Sequence, residues 1–151
     1  MREARRSFFY SHLGVPDTSD GRLEMIMITA ALVIRRLKRD GARGEELAQA
    51  LFDLMFADID RNFREQGVGD LSVGKHVKRA AATFIAQTAH LEMALANEDM
   101  VALTATIRRN IATTNDMAGV ARAVIDYDSK LNEWPFGQLE MGTLPEQRQS
   151  D

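Results

Sequence analysis

The sequence contains no cysteine among its 151 residues. That absence excludes disulfide bonds, thiolate metal sites, a cysteine nucleophile and covalent attachment of c-type haem. Histidine is almost as scarce: His12, His76 and His90 are far apart in the chain and do not have the spacing of metal ligands. We therefore predict no metal site and no cofactor.

Long apolar runs and a strong excess of one charge are also lacking. The longest apolar stretch, Met25 to Ile34, is interrupted only by Thr29 and has about half the length that a membrane span needs. The formal net charge is −3, so no global positive field attracts nucleic acid or acidic lipid. Met1 leads into charged residues, so we expect no signal peptide. The expected location is the cytoplasm, with at most peripheral contact to the inner face of the cytoplasmic membrane.

Apolar residues recur at helical rather than strand spacing along most of the chain. With 45% hydrophobic and 27% charged residues, the chain suits one folded domain covering residues 1–151. We predict an all-α fold, a single-domain bundle of five to six helices with long central helices. The expected helices are a short one ending at Gly14, then about 21–39, 44–66, 72–97, a segment starting at 99, and 116–132.

The long helices carry the clearest patterns. The second is apolar nearly all round, which predicts that it lies at the centre of the bundle. The third and fourth have apolar stripes, and Gly67 is placed as a left-handed cap where the chain reverses between them. After Trp134-Pro135 no helical period is visible. We expect the apolar side chains there to lie against the bundle, and residues 145–151 to form a loose tail.

The segment FADIDRNFREQGVGDLSVGKHVKR, residues 56–79, matches three functional motifs in part. For a calcium loop, Asp58, Asp60 and Asn62 occupy the first, third and fifth positions. The glycine of position six and the glutamate of position twelve are replaced by Phe63 and Gly69. Because the sharp turn and the strongest ligand are both missing, we predict no calcium site.

The letters GDLSVGK, residues 69–75, match most of a phosphate-binding loop. The eighth position is His76, which has no hydroxyl for magnesium, and the preceding element is a predicted helix rather than a strand. We therefore predict no nucleotide hydrolysis and assign no catalytic residue. An enzyme whose site is assembled from distant residues is a further alternative, and a deep polar pocket would be its sign.

A helix-turn-helix with a basic second helix is the third partial match. Lys75, Lys78 and Arg79 lie in the first turns of the fourth helix. The first helix is longer than the motif uses, and the net charge is acidic, so the main prediction includes no DNA partner. A nucleic-acid- or ribosome-binding module that uses residues 75–79 is the alternative function.

Two interpretations of this basic cluster are open. One is charge compensation within the chain, because the basic cluster can pair with acids near the facing end of the third helix. These acids are Asp58, Asp60, Glu65 and Asp70. The other is a docking patch whose charge steers a partner and fixes its orientation. Spacing alone favours compensation.

Asp58 and Asn62 also fall near the edge of the apolar stripe of the third helix. A half-buried carboxylate needs a partner. Arg22, Arg61 or the basic cluster can provide one, which would make a polar network that locks the bundle. A catalytic carboxylate is the competing interpretation, and no nearby base, nucleophile or metal ligand favours it.

The sequence also resembles a known protein family, and this resemblance does not depend on the three motifs above. It lies in four segments: FFYSHLGVPDTSDGRLEMI, LVIRRL, LFDLMFADIDRNFREQGVGDLSVGKHVKR and ATF. Together they resemble the ubiquinol–cytochrome c chaperone family. The pattern GVPDT…GR followed by DxDRNxREQGVGDxxVGK is specific, and the resemblance covers roughly residues 4–96.

The resemblance implies a non-enzymatic assembly factor for the cytochrome bc1 complex, respiratory complex III, that binds newly made cytochrome b. It also implies a small partner assembly protein, association with the ribosome, and a bacterial, alphaproteobacterial member. It supplies neither catalytic residues nor a cofactor. The partner-binding residues expected on this basis are Arg22, Asp58, Asp60, Arg61, Asn62, Arg64, Glu65, Gly67, Gly69, Asp70, Lys75, Lys78 and Arg79.

Overall fold

The computed structural model describes residues 7–109, residue 111 and residues 116–146. The start of the first predicted helix, residues 2–6, lies outside this part of the chain. So do residues 147–151, most of the predicted loose tail. Pro145, at the start of that tail, is buried.

Seven α-helices follow one another in the described residues, and no strand occurs among them. The all-α prediction is confirmed. A short 3-10 turn, Lys38–Asp40, joins the second helix to the third. The helices are α1 Ser7–Ser11, α2 Ser19–Leu37, α3 Gly41–Glu65, α4 Asp70–Ala96, α5 Met100–Arg108, α6 Met117–Glu133 and α7 Phe136–Glu140.

Side-chain caps begin three of the helices. Thr18 Oγ1 accepts a hydrogen bond from the Gly21 amide at the start of α2, 3.1 Å away. At α5 the carboxylate of Asp99 accepts from the Ala102 amide, and at α6 that of Asp116 accepts from the Gly119 amide. Each cap satisfies an amide that has no partner inside the helix, which is why these helices begin where they do.

The sequence pattern missed α7. The segment after Trp134 was expected to be irregular, but Phe136–Glu140 forms a helix of 5 residues. So short a segment spans less than two turns, and no apolar period can become visible in it. The expectation that its apolar residues pack on the bundle is confirmed, because Leu139 is buried and Phe136 and Leu144 contact the core.

α2 is the centre of the molecule, as its all-round apolar sequence predicts. It packs against α3, α4 and α6, and its middle is buried on every side. Met25, Leu32 and Ile34 are among its buried side chains, each at most 4% exposed. The apolar stripes of α3 and α4 face it, and the rings of Phe52, Phe56 and Phe84 meet between those two helices.

The basic end of α2 is bonded to α6. Arg36 is 8% exposed, and its guanidinium donates to the carbonyl oxygens of Leu131 at 2.8 Å and Trp134 at 3.0 Å. Arg35 donates to both carboxylate oxygens of Asp128, which is 7% exposed, at 2.7 and 2.9 Å. Buried charges are tolerated when they are paired in this way. These bonds hold the C-terminal ends of α2 and α6 side by side.

The segment after α6 is also attached through specific bonds. Trp134 Nε1 donates to the Thr143 carbonyl at 2.9 Å, and Lys130 Nζ donates to the Glu146 carbonyl at 3.3 Å. Arg43 near the start of α3 pairs with Glu140 of α7 at 3.0 Å. The chain beyond α6 is therefore folded onto the bundle as far as residue 146. Over the described ranges, every helix is too short or too polar to cross a bilayer.

Glu24 is a half-buried acid in α2 with no ion-pair partner among the described residues. Its Oε2 atom is buried and has no hydrogen-bond partner among the described residues. Burial, and secondly the nearby charge of Asp20, raise the pKa of Glu24 to about 7 from an ordinary value of 4.5. Because the folded pKa is the higher one, the protonated carboxyl stabilises the fold fully below pH 4.5. That stabilisation is lost as the pH rises through 7.

We predict that Glu24→Gln raises the free energy of unfolding at pH 8 and has little effect at pH 4.5, because glutamine does not ionise. Urea denaturation at the two pH values measures the difference. Glu65→Gln, at an exposed glutamate without an ion pair, is the control and is expected to be neutral at both. An equal effect of Glu24→Gln at both pH values would contradict the assignment.

Candidate interaction surface

The turn between α3 and α4 is built by Gly67. Its φ of 79° lies in the left-handed region, as its position after the helix predicts. The Gly67 amide bonds the Arg64 carbonyl at 3.1 Å, and the Val68 amide bonds the Phe63 carbonyl at 3.2 Å. This pair of bonds is the Schellman motif, which closes the last turn of α3. Gly69 has a φ of −59°, so the turn does not require glycine there.

Arg64 fastens the turn from the outside. Its Nε donates to Asp60 at 2.7 Å, one turn earlier in α3, and its Nη1 donates to Asp70 at 2.6 Å, in the first turn of α4. The hydrogen bond to Asp60 and its charge raise the pKa of Arg64, and Asp70 adds to the effect. One guanidinium thus joins both helices of the hairpin.

Asp58 and Arg22 lie elsewhere than expected. The side chain of Asp58 is 56% exposed rather than half-buried, and its partner is Arg61 at 3.4 Å. Arg22 pairs with Asp17 at 2.6 Å instead. The expected half-burial of Asp58 and its pairing with Arg22 are therefore wrong, whereas Arg61, another partner expected for Asp58, does pair with it. The half-buried carboxylate is instead Asp60, whose side chain is 34% exposed. Arg22 and Asn62 both line an open groove of about 960 Å³.

The basic cluster, defined as Lys75, Lys78 and Arg79, is exposed on α4. Across the described residues, none of its three side chains forms an ion pair or hydrogen bond. The compensating contacts that spacing favours do not form, because Asp58, Asp60 and Asp70 are taken by Arg61 and Arg64. Glu65, at the end of α3, is exposed and makes no ion pair with the cluster. The charge compensation that spacing favours is therefore absent among these residues, and the docking patch stays a prediction.

The two nucleotide and metal motifs fail on backbone conformation as well as on sequence. Asp58, Asp60 and Asn62 lie within the helix α3, which places Asp60 on a different side of the helix from Asp58 and Asn62, so the three cannot converge on one ion. The letters that match a phosphate-binding loop start at Gly69 and continue into α4. His76 lies against the ring of Phe63, with centroids 5.5 Å apart. No group of three or more potential metal ligands occurs among the residues that are described.

Sequence reasoning overlooked the outer face of α4. Between Arg79 and Glu92 the chain has no charged residue, which is unusual on the surface of a helix. Ile85 is 59% exposed and Met93 64% exposed on this face. The sequence signal for this face was the absence of charged residues over 80–91 within a predicted helix. Finding which side is open required the positions of α2 and α3.

Two comparisons with known proteins give matches, and these two agree with each other. The sequence profile of a family described as ubiquinol-cytochrome C chaperone matches residues 11–142. The crystal structure of the Cbp3 homolog from Brucella abortus superposes with a TM-score of 0.86 and is 31% identical in sequence. That alignment covers 99% of this chain and 86% of the other. The comparison with curated proteins finds no match.

We predict that Gly67→Ala lowers the free energy of unfolding by about 1–2 kcal/mol, because an alanine Cβ is strained at positive φ. Gly74→Ala, in the same hairpin, is the matched control. Gly74 is exposed inside α4 with nothing within 4 Å of an added Cβ, so alanine there should raise stability by about 0.8–1 kcal/mol. Chemical denaturation measures both. Changes of the same sign would contradict the assignment of the turn.

Proposed function

The chain belongs to the ubiquinol–cytochrome c chaperone family, and from this we propose that it is a non-enzymatic assembly chaperone of the cytochrome bc1 complex, respiratory complex III. Its client in this proposal is newly made cytochrome b, which it binds and stabilises while the complex is built. The profile match over residues 11–142 includes α2, α3 and α4, the helices that form the core and the hairpin.

The observation that carries the proposal is the unpaired basic cluster beside the uncharged face of α4. A chain of net charge −3 keeps three cations together without neutralising them, although four acids lie close in sequence. Such a cluster attracts and orients an acidic partner. The adjacent apolar surface supplies the contact area that charge alone does not.

Arg61 and Arg64 were expected to contact the partner, but in this proposal they have a structural role. Arg61 and Arg64 are held by carboxylates within the chain, so they shape the surface. Lys75, Lys78 and Arg79 contact the partner. No step of this mechanism is catalytic: the chaperone delays wrong contacts of its client by covering part of its surface. A small partner assembly protein, the ribosome and the inner membrane surface belong to the same proposal as further contacts.

Nucleic-acid binding through the basic cluster is the alternative function, and no second observation favours it. A nucleic-acid interface needs a basic stripe that follows the backbone of the ligand, together with side chains for bases or sugars. Here the basic residues give way along α4 to alanines, Ile85 and Met93. That composition suits a protein surface.

Deleting the gene is expected to lower spectroscopic cytochrome b and assembled bc1 complex several-fold. The full chain should restore both, and Lys75→Ala/Lys78→Ala/Arg79→Ala should restore them poorly, because the steering charge is gone. Arg108→Ala/Arg109→Ala/Arg122→Ala is the matched control: it removes the same charge from three exposed arginines without ion pairs, and it should restore both fully. Unchanged cytochrome b and bc1 levels after deletion would refute the proposed function.

A further inference from the structure

A groove lies between the first half of α3 and the second half of α4, on the side away from the hairpin turn. Its volume is about 660 Å³. We call it the α3–α4 groove. Its floor is formed by Ile34, Ala48, Phe52, Phe84 and Thr88, and its rims by Lys38, Glu45, Gln49, Ile85, Ala89 and Glu92.

The floor of the groove is apolar. The rings of Phe52 and Phe84 lie 5.8 Å apart at the centroids and are its largest apolar side chains. Thr88 is buried, and its hydroxyl donates to the Phe84 carbonyl at 2.8 Å, so its hydrogen-bonding capacity is used inside the helix. A polar ligand would lose hydrogen bonds to water without replacing them on this floor. The floor therefore selects apolar side chains.

The dimensions of the groove match a helix. The lining residues of α3 run from Glu45 to Phe52, and those of α4 from Phe84 to Glu92. Each wall is about two helical turns long, roughly 10–12 Å. A helix that lies in such a groove inserts apolar side chains spaced i, i+3, i+4 and i+7, which cover the same length. Ile85, exposed on the rim, would become buried by such a partner.

The charges along α4 are arranged by sign. Lys78, Ile85 and Glu92 are spaced seven residues apart, so they lie on nearly the same side of the helix. From Lys78 to Glu92 the distance along the axis is about 21 Å. Glu92 and, on the other wall, Glu45 make no ion pair within the described ranges. The surface is therefore positive near the turn, uncharged in the middle and, despite Lys38 nearby, negative at the far end.

We propose that the α3–α4 groove binds an amphipathic helix of the protein being assembled, about four turns long. Its apolar face lies on Phe52, Phe84 and Ile85, its acidic end points to the basic cluster, and its basic end lies over Glu45 and Glu92. This inference rests on the proposed function and adds to it the site, the chemical class of the partner segment and its direction. The two charged ends give the complex one favoured orientation, because the reversed helix would place like charges together.

A membrane surface fits this groove less well than a helix does. The groove is concave, whereas a bilayer surface presents no ridge to fill it. The carboxylates of Glu45 and Glu92 would also face anionic headgroups and be repelled by them. The three cations of the basic cluster attract anionic headgroups and the acidic end of a helix alike, so they do not favour the membrane.

The test uses the full chain and synthetic peptides of about 20 residues that tile cytochrome b and the other subunits of the bc1 complex from the same organism. Fluorescence anisotropy measures binding of each peptide. We expect the bound peptides to have an apolar helical face with an acidic and a basic end. Ile85→Glu should weaken their binding about tenfold or more, since it places a charge in the apolar contact.

The matched control is Leu54→Glu. Leu54 is 62% exposed on α3, close to the 59% of Ile85, but it lines a different cavity. The Leu54→Glu variant should bind the same peptides as tightly as the unchanged protein does. Glu45→Lys/Glu92→Lys should weaken binding of the same peptides and strengthen binding of versions whose basic end is replaced by acidic residues. Because Glu45, Ile85 and Glu92 are not in the buried core, circular dichroism should show these variants folded.

Three results would overturn the groove assignment: no bound peptide, binding that survives the groove variants, or variants that instead reduce binding to vesicles of phosphatidylcholine and phosphatidylglycerol. Failure of the groove is separable from failure of the function. If deletion lowers the bc1 complex and the Ile85→Glu protein restores it fully, the chaperone function stands and the groove assignment is wrong.

Discussion

The whole architecture depends on one constraint, which is that the middle of α2 is apolar all round and must be covered on every side. α3, α4 and α6 provide that cover, and Arg35 and Arg36 bind the end of α2 to α6. Each covering helix turns its apolar stripe inward. The surface that remains for a partner is whatever α3 and α4 present outward once α2 is enclosed.

The hairpin shows how local charges divide into two groups. Three of the acids near its turn, Asp58, Asp60 and Asp70, pair with Arg61 and Arg64, and Arg64 joins the end of α3 to the start of α4. Paired surface charges contribute little to stability, so their main effect is on shape. The basic cluster that remains is unneutralised. Because it lies next to an uncharged helix face, it forms one end of an amphipathic surface rather than an isolated patch.

Much of the fold could be predicted from the sequence because long helices repeat their apolar pattern many times. The stripes of α3 and α4, the central position of α2 and the left-handed Gly67 are of this kind. The helix α7 could not be found, since a segment of 5 residues has no period.

The candidate site was less predictable. The motif residues do lie on the hairpin of α3 and α4 that the sequence predicts, but which acid pairs with which base depends on side-chain reach across a turn. Arg64 bonds to Asp70 six residues away, and Arg22 bonds to Asp17 rather than to α3. The α3–α4 groove forms between two helices, and the apolar period of one helix does not reveal its distance from the other. Only the uncharged stretch 80–91 in α4 was visible in advance.

The central claim is that the outer face of α4 touches cytochrome b while that protein is new. Site-specific photo-crosslinking in growing cells tests it most directly, with the photoreactive residue at Ala82, exposed in the uncharged stretch of α4, and a control at Leu54. After a short radioactive pulse, we predict a labelled adduct from position 82 that is precipitated by antibody to cytochrome b and fades during the chase. An equal adduct from both positions, or none from position 82, would contradict the account.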